Sequence, residues 1–332
     1  MKKINPLLLI VFSIIGLSIS ILASLAFGAR HIGFLEVIRS LLYNQKETLN
    51  QIVVHERIPR TLFGIVAGAS LGISGALMQA ITRNPIADPS ILGVNTGASL
   101  FVVAGIAFLN IGRPIEYIGL ALLGSSLVAL FVFGISSLGT SGSTPIKLAL
   151  AGAATSAALS SIISAIVLPR TDSMTNFRFW QVGSISGATW EGMLTVLPFL
   201  LIGLVIGLFS SSTLDALALG DELAIGLGVR TGIVRLLSTG AGVILCGATT
   251  AIAGPIGFIG LMVPHSVRLL LGPSMKCLIP MSAVFGAILL LLADVIGRLI
   301  GSPSELESGI VTAFIGAPIL ILIAMKAKVK SL

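Results

Sequence analysis

Ten apolar stretches, most of them long enough to cross a bilayer, alternate with short polar breaks along the chain. They fall at 7–28, 61–81, 93–109, 115–136, 147–168, 192–210, 233–253, 256–271, 278–297 and 307–325. A helix rises 1.5 Å per residue, so about 20 apolar residues cross a hydrocarbon core of about 30 Å. Barrel strands would show apolar and polar residues in alternation, and these stretches do not. Helices satisfy their own backbone groups in lipid. The expected fold class is therefore an all-α polytopic membrane protein with about ten transmembrane helices. Only Ala253-Gly254-Pro255 divides the seventh and eighth stretches. One long kinked helix there would leave nine spans and put the termini on opposite sides.

Composition closes off the soluble classes. Of the 332 residues 10% are charged and 55% hydrophobic, and mean hydropathy is +1.07. Soluble domains carry roughly 25% charged residues. Their surface grows too slowly with mass to leave room for so much apolar side chain inside. No soluble domain stands out, so 1–332 reads as a single membrane domain. The net charge of +7 comes from Lys and Arg scattered between apolar runs, not gathered on one polar face as nucleic-acid binding requires. Cys246 and Cys277 suit no metal motif by spacing and read as packing residues. Residues Met1-Lys2-Lys3 and the apolar run to Phe27 look like a signal peptide. That run exceeds the ordinary h-region of about 7–15 residues and fits a first span retained in the mature protein.

Orientation follows the Lys/Arg bias of short loops. Lys2, Lys3, Lys326, Lys328 and Lys330 put both termini in the cytoplasm, with Lys147 and Lys276. Arg30, Arg39, Arg57, Arg60, Arg113, Arg170, Arg178 and Arg298 then all lie outside. Either the topology is wrong or some external arginines have a task. Gly64, Gly68 and Gly72 repeat every four residues, as do Gly93/Gly97 and Gly203/Gly207. That spacing lets helix backbones touch, which says tight bundle without saying which.

Four polar segments carry candidate functions. In 214–235, Leu217, Leu219, Leu223 and Ile225 interleave with Asp215, Asp221 and Glu222, and Gly220, Gly226 and Gly228 punctuate the run. Acidic residues favour a helix start. Two short helices broken at Gly220, on the cytoplasmic membrane surface, are expected. They are either an inert interfacial loop or a docking element for a soluble partner. In Thr82–Gly93, Arg83, Asn84-Pro85 and Asp88-Pro89 stop a helix and stiffen a turn. His55–Arg60 sets Arg57 and Arg60 around Pro59, and Asp294 and Arg298 stand four apart near the end of the ninth span. The arginines of His55–Arg60 could snorkel to headgroups. Arg298 could pair with Asp294 or face outward to an acidic partner.

These residues resemble a known family. The run RIPRTLFGIVAGASLGISGALMQAITRNPIADPSILGVNTGA (57–98) is similar to the opening signature of the FecCD/BtuC-like permeases. These are the transmembrane subunits of iron-siderophore, haem and vitamin B12 ABC importers. FWQVGSISGATW (179–190), LALGDELAIGLGV (217–229), GPIGFIGLMVPHSVRLLLGP (254–273) and GIVTAFIGAPILILI (309–323) follow in the same order. Residues before 57 match in hydropathy alone. The resemblance implies a BtuC-like, type II permease fold with ten helices. It implies a second identical or similar permease subunit, two ATPase subunits and an extracytoplasmic solute-binding protein. In that reading Arg57, Arg60 and Arg298 receive carboxylates of the binding protein, whose charge complementarity steers docking. Leu217, Leu219, Gly220, Asp221, Glu222 and Gly228 belong to coupling helices in a cleft of the ATPase. The pathway runs along the fifth span, Leu148–Leu168, with Thr155 and Ser156. The loop Ser141-Gly142-Ser143-Thr144 sits at its cytoplasmic gate.

The expected function is thus the permease subunit of a bacterial ABC importer, moving an iron(III)-siderophore complex across the cytoplasmic membrane. Haem or vitamin B12 is the alternative cargo. There is no Gly-x-x-x-x-Gly-Lys-Ser/Thr phosphate loop, so ATP hydrolysis is expected on a partner chain. No catalytic residue, metal site or cofactor is expected in this chain. His265, next to Pro264, reads as structural. An ion-coupled secondary transporter is the rival class. Such proteins commonly carry ionisable residues near the bilayer midplane, and here acidic residues inside the spans are scarce.

Overall fold

A computed structural model describes residues 6–43, 48–85, 87–111, 113–138, 145–170 and 174–326. Among these residues every regular element is helical. In chain order they are α1 (Pro6–Ala26), α2 (Phe34–Tyr43), α3 (Leu49–Thr82), α4 (Val94–Leu109), α5 (Pro114–Ser136), α6 (Pro145–Val167) and α7 (Thr175–Val182). After these come α8 (Trp190–Phe209), α9 (Ser211–Ala218), α10 (Asp221–Gly226), α11 (Thr231–Ala253), α12 (Ile259–Leu271), α13 (Met275–Ile300) and α14 (Ser308–Lys326). A 3-10 turn, Pro89–Leu92, precedes α4. Seven helices are long and apolar enough to cross a membrane, and three shorter apolar helices lie in α4, α12 and α14.

Each of the ten expected stretches lies on one of these helices, with ends inside a three-residue margin except at the start of the second. That helix, α3, begins at Leu49 and holds Pro59 inside it. Thr48 caps it: its hydroxyl accepts from Gln51 N while Gln51 returns a side-chain bond to Thr48 N, a capping box. The polar run His55–Arg60 masks this extension in the sequence. The single long kinked helix of the nine-span alternative does not form. α11 stops at Ala253, and Gly254 and Phe258 both adopt positive φ, 68° and 69°, before α12 starts. A side chain at Gly254 would also collide with the Trp180 carbonyl. The helices α2 and α7 are too short and too polar to show as spans.

α3 is the axis of the bundle: 78% of its apolar window is buried, as is 72% of that of α11. Its glycines explain why. A Cβ on Gly68 would strike the Gly286 carbonyl, and one on Gly72 the Ser282 carbonyl, both in α13. Gly75 meets Gly260 of α12 in the same way. Backbones therefore touch along the α3–α13 seam, the arrangement that small residues at four-residue spacing permit. By contrast, only 11% of the α6 window is buried.

Candidate functional site

Charged side chains gather at the two ends of α3 and α13. At the Arg60 end, Asp294 sits at the centre, 1% exposed. Arg60 grips it with two nitrogens: Nη2 donates to Oδ1 at 2.7 Å, and Nε lies 3.1 Å and 3.2 Å from the two oxygens. The third nitrogen, Nη1, reaches Glu305 Oε2 at 2.8 Å. Arg298 pairs with Asp294 Oδ2 at 2.9 Å. It also donates to the Ser24 and Phe27 carbonyls at 3.0 Å and 2.8 Å and to Ser24 Oγ at 3.2 Å. Arg57 donates to the Leu25 and Arg30 carbonyls at 2.8 Å and 2.7 Å. The cluster thus staples the end of α1 and the chain after it to α3 and α13.

Of the three arginines expected here, Arg298 is only 2% exposed and engaged inside the protein through Nη1 and Nη2, in the Asp294 pair that its spacing allowed. Arg57 and Arg60 are half-buried. Sequence reasoning missed the Arg60 bonds to Asp294 and Glu305, which join residues 234 and 245 positions apart. No local pattern announces them.

At the other end the polypeptide turns through an elbow. α9 and α10 are separate helices, and Gly220 between them has φ 117°, a region L side chains rarely adopt. Gly228 closes the second turn with φ 82°. Leu217 is buried, whereas Leu219, Leu223, Ile225 and Leu227 are each 60–65% exposed, beside an exposed Glu222. Two aspartates fix the elbow from behind. Asp215 accepts from Met275 N at 2.6 Å and Ser274 Oγ at 3.1 Å, so α9 caps the first turn of α13. Asp221 accepts from Arg235 Nη2 of α11 at 2.9 Å and from Arg83 Nη2. Arg83 also donates to the Leu217 carbonyl at 2.7 Å. Asp221, one of the residues expected in the coupling element, is thus half-exposed and paired with two arginines, while Glu222 beside it is exposed.

The turn 82–93 supports the same end. Arg83 ends α3 in the left-handed region, φ 49°. Asn84 O accepts from Ala87 N at 3.1 Å, and Pro85 is exposed. Asp88 caps the 3-10 turn through a 2.9 Å bond from Ser90 N, with Pro89 in its first turn. Burial pushes the Asp88 carboxyl above the usual aspartate range, partly offset by its bonds to Ser90.

Of the expected pathway residues, Ser143 and Thr144 lie outside the described residues. Thr155 and Ser156 are half-buried on α6. Ser156 Oγ bonds Thr96 Oγ1 of α4 at 3.1 Å, so it braces a helix contact. The face of α6 left open consists mainly of small residues: Ala153, Ala154, Ala157, Ala158, Ser160, Ser161 and Ser164. Among the described residues no group of three His, Cys, Asp or Glu side chains is placed to hold a metal.

A bundle whose helices are apolar through the middle, with ion pairs at both ends and an anchored elbow at one of them, defines an all-helical multi-pass membrane protein. The chain belongs to the FecCD transport family, whose model matches residues 16–326. It is 42% identical over 328 residues to the Fe(3+)-citrate import system permease protein YfmD of Bacillus subtilis (strain 168), covering 99% of this chain and 95% of that one. It is also 42% identical over 275 residues to the ferric enterobactin transport system permease protein FepD of Escherichia coli (strain K12), covering 83% and 82%. A solved metal-chelate type ABC transporter in an inward-facing conformation superposes with TM-score 0.84 at 27% identity, over 97% of this chain and 100% of that chain.

Proposed function

We propose that this chain is the permease subunit of a bacterial ABC importer that moves an iron(III)-siderophore complex across the cytoplasmic membrane. The observation that carries the reading is the α9–α10 elbow. Its apolar row, Leu219, Leu223, Ile225 and Leu227, is exposed, and its back is bonded to α3, α11 and α13. A surface held that firmly transmits force to the bundle, which is what a coupling element for a separate ATPase must do. In this reading the elbow and both termini are cytoplasmic, and the chain crosses the membrane ten times. Two ATPase subunits engage the elbows of two permease subunits. The exposed small-residue face of α6 seats the partner permease and lines the route. The Arg57, Arg60 and Arg298 cluster meets acidic side chains of a solute-binding protein on the outer face, with Arg57 and Arg60 in front and Arg298 behind. The relatives named for ferric citrate and ferric enterobactin support an iron chelate as cargo. The buried Asp294 argues against an ion-coupled secondary transporter, because two arginines already neutralise it.

The test is co-purification of the detergent-solubilised permease with its candidate ATPase, for wild type, Gly220→Pro and Glu222→Arg. Proline fixes φ near −65° and cannot take the 117° of Gly220. Loss of the ATPase from a still monodisperse permease is expected in both variants. Undiminished binding in both would remove the elbow from the coupling role.

A further inference from the structure

The outer arginine cluster contains a carboxylate that its own architecture does not require. Asp294 is the structural partner: 1% exposed, gripped by two arginines and lodged in α13. Glu305 differs in every respect. It lies in the segment between α13 and α14, its side chain is 38% exposed, and it takes the one Arg60 nitrogen that Asp294 leaves over, Nη1, at 2.8 Å. Arg60 itself is 13% exposed. Its fork is fixed at Nε and Nη2 by Asp294, so Nη1 is presented in a constant direction with little further loss of freedom. An oriented guanidinium N–H covered by an exposed glutamate is already a small ion-pair interface, with both halves on one chain. Charge balance points the same way. Three guanidiniums, Arg57, Arg60 and Arg298, face two carboxylates, Asp294 and Glu305, which leaves one net positive charge. A carboxylate from outside could replace Glu305 at Nη1 without changing the cluster's charge, once Glu305 swings into water.

We propose that Glu305 is a built-in stand-in for the acidic side chain of the docking partner. It occupies Arg60 Nη1 while the permease is undocked and is displaced when the partner's carboxylate arrives. The inference rests on the docking reading above and adds a self-competing group to it. Glu305 then lowers affinity for every acidic partner alike, so that only one making further contacts stays bound. It also keeps Arg60 from collecting stray anions. An exposed ion pair is worth little, so the competition is weak enough to be reversed in each transport cycle.

The experiment uses the complete transporter in nanodiscs and its solute-binding protein, with dissociation constants read at low and high salt. Glu305→Gln should bind the protein roughly two- to five-fold tighter, the range an exposed pair supports, and the gain should shrink in high salt. Glu307→Gln, which removes a charge two positions away, should change affinity by less than that. Arg60→Lys keeps a counter-charge beside Asp294 but loses the planar fork. It should bind several-fold weaker, and adding Glu305→Gln to it should bring no gain. Equal or weaker binding by Glu305→Gln, with Arg60→Lys still weakened, overturns the stand-in role and leaves docking intact. Unchanged binding by Arg60→Lys, in a variant that elutes as a folded complex, overturns the docking reading and the stand-in with it.

Discussion

Replacing Asp294 with asparagine should be among the most damaging isosteric changes available in this protein. The carboxylate is 1% exposed and carries the 2.7 Å bond from Arg60 Nη2 and the 2.9 Å pair with Arg298 Nη2. Arg298 is itself 2% exposed and has no second carboxylate partner among the described residues. Asparagine keeps the shape, removes the charge and turns an amide nitrogen toward one of the guanidiniums. Stripping one partner from a buried pair costs about 3–5 kcal/mol, because the remaining charge stays in low dielectric uncompensated. The loss here belongs at the upper end, since one carboxylate serves two cations. Arg298→Met should cost less, as Asp294 then retains Arg60 and methionine occupies a similar volume. Thermal unfolding followed by fluorescence-detected size exclusion measures both. A loss for Asp294→Asn below about 1 kcal/mol, the scale of a surface pair, would refute the reasoning. So would Arg298→Met proving the more damaging of the two.

Three further outcomes are expected. Asp221→Asn weakens partly exposed pairs with Arg83 and Arg235; it should change melting stability by no more than about 1 kcal/mol yet lower ATP-driven uptake in proteoliposomes, and unaltered uptake would show that the clamp transmits nothing. Gly72→Leu forces a side chain into the Ser282 carbonyl across the α3–α13 seam and should abolish a monodisperse peak in size exclusion, whereas Gly119→Ala, with open space around its Cβ position, should fold normally. For Asp88 the sign follows from its raised pKa: the native state holds that proton more tightly than the unfolded chain, so its contribution is present at low pH and is lost as pH rises through the native value. Asp88→Asn, which still caps the 3-10 turn, should therefore flatten the decline of melting temperature with pH on the acid side, and an unchanged slope would count against it.

Hydropathy made nearly every spanning helix legible, because a 20-residue apolar run has few alternatives in lipid. It failed where polar residues continue a helix, as at His55–Arg60, and where short amphipathic pieces lie beside the bundle, as in α2. The glycines of α3 announced a packing seam, yet only coordinates could show that α13 is the partner. At the elbow, Gly220 was readable as a break, and its φ of 117° gives the reason. The pairing of Asp221 was not readable: its partners Arg83 and Arg235 lie 138 and 14 residues away, and no local spacing connects them. Arg298 carried both readings in the sequence, inward pair or outward face, and burial decides for the inward pair in this conformation.

The close backbone contact between α3 and α13 has a mechanical consequence. At about 1.5 Å per residue the 34 residues of α3 extend roughly 50 Å, well beyond a hydrocarbon core of about 30 Å. Eleven residues in from Leu49 it is tied to α13 through Arg60 and Asp294, and its other end meets the elbow through Arg83, where Asp215 also holds the foot of α13. Between these ties the carbonyls of Ser282 and Gly286 rest on Gly72 and Gly68, with no long side chains between them to flex and absorb a push. The pair is a stiff strut, gripped near both of its ends. From Arg60 to Arg83 the strut measures roughly 35 Å, so a tilt of about 5° at its foot would carry the arginine end sideways by about 3 Å with little lost in bending.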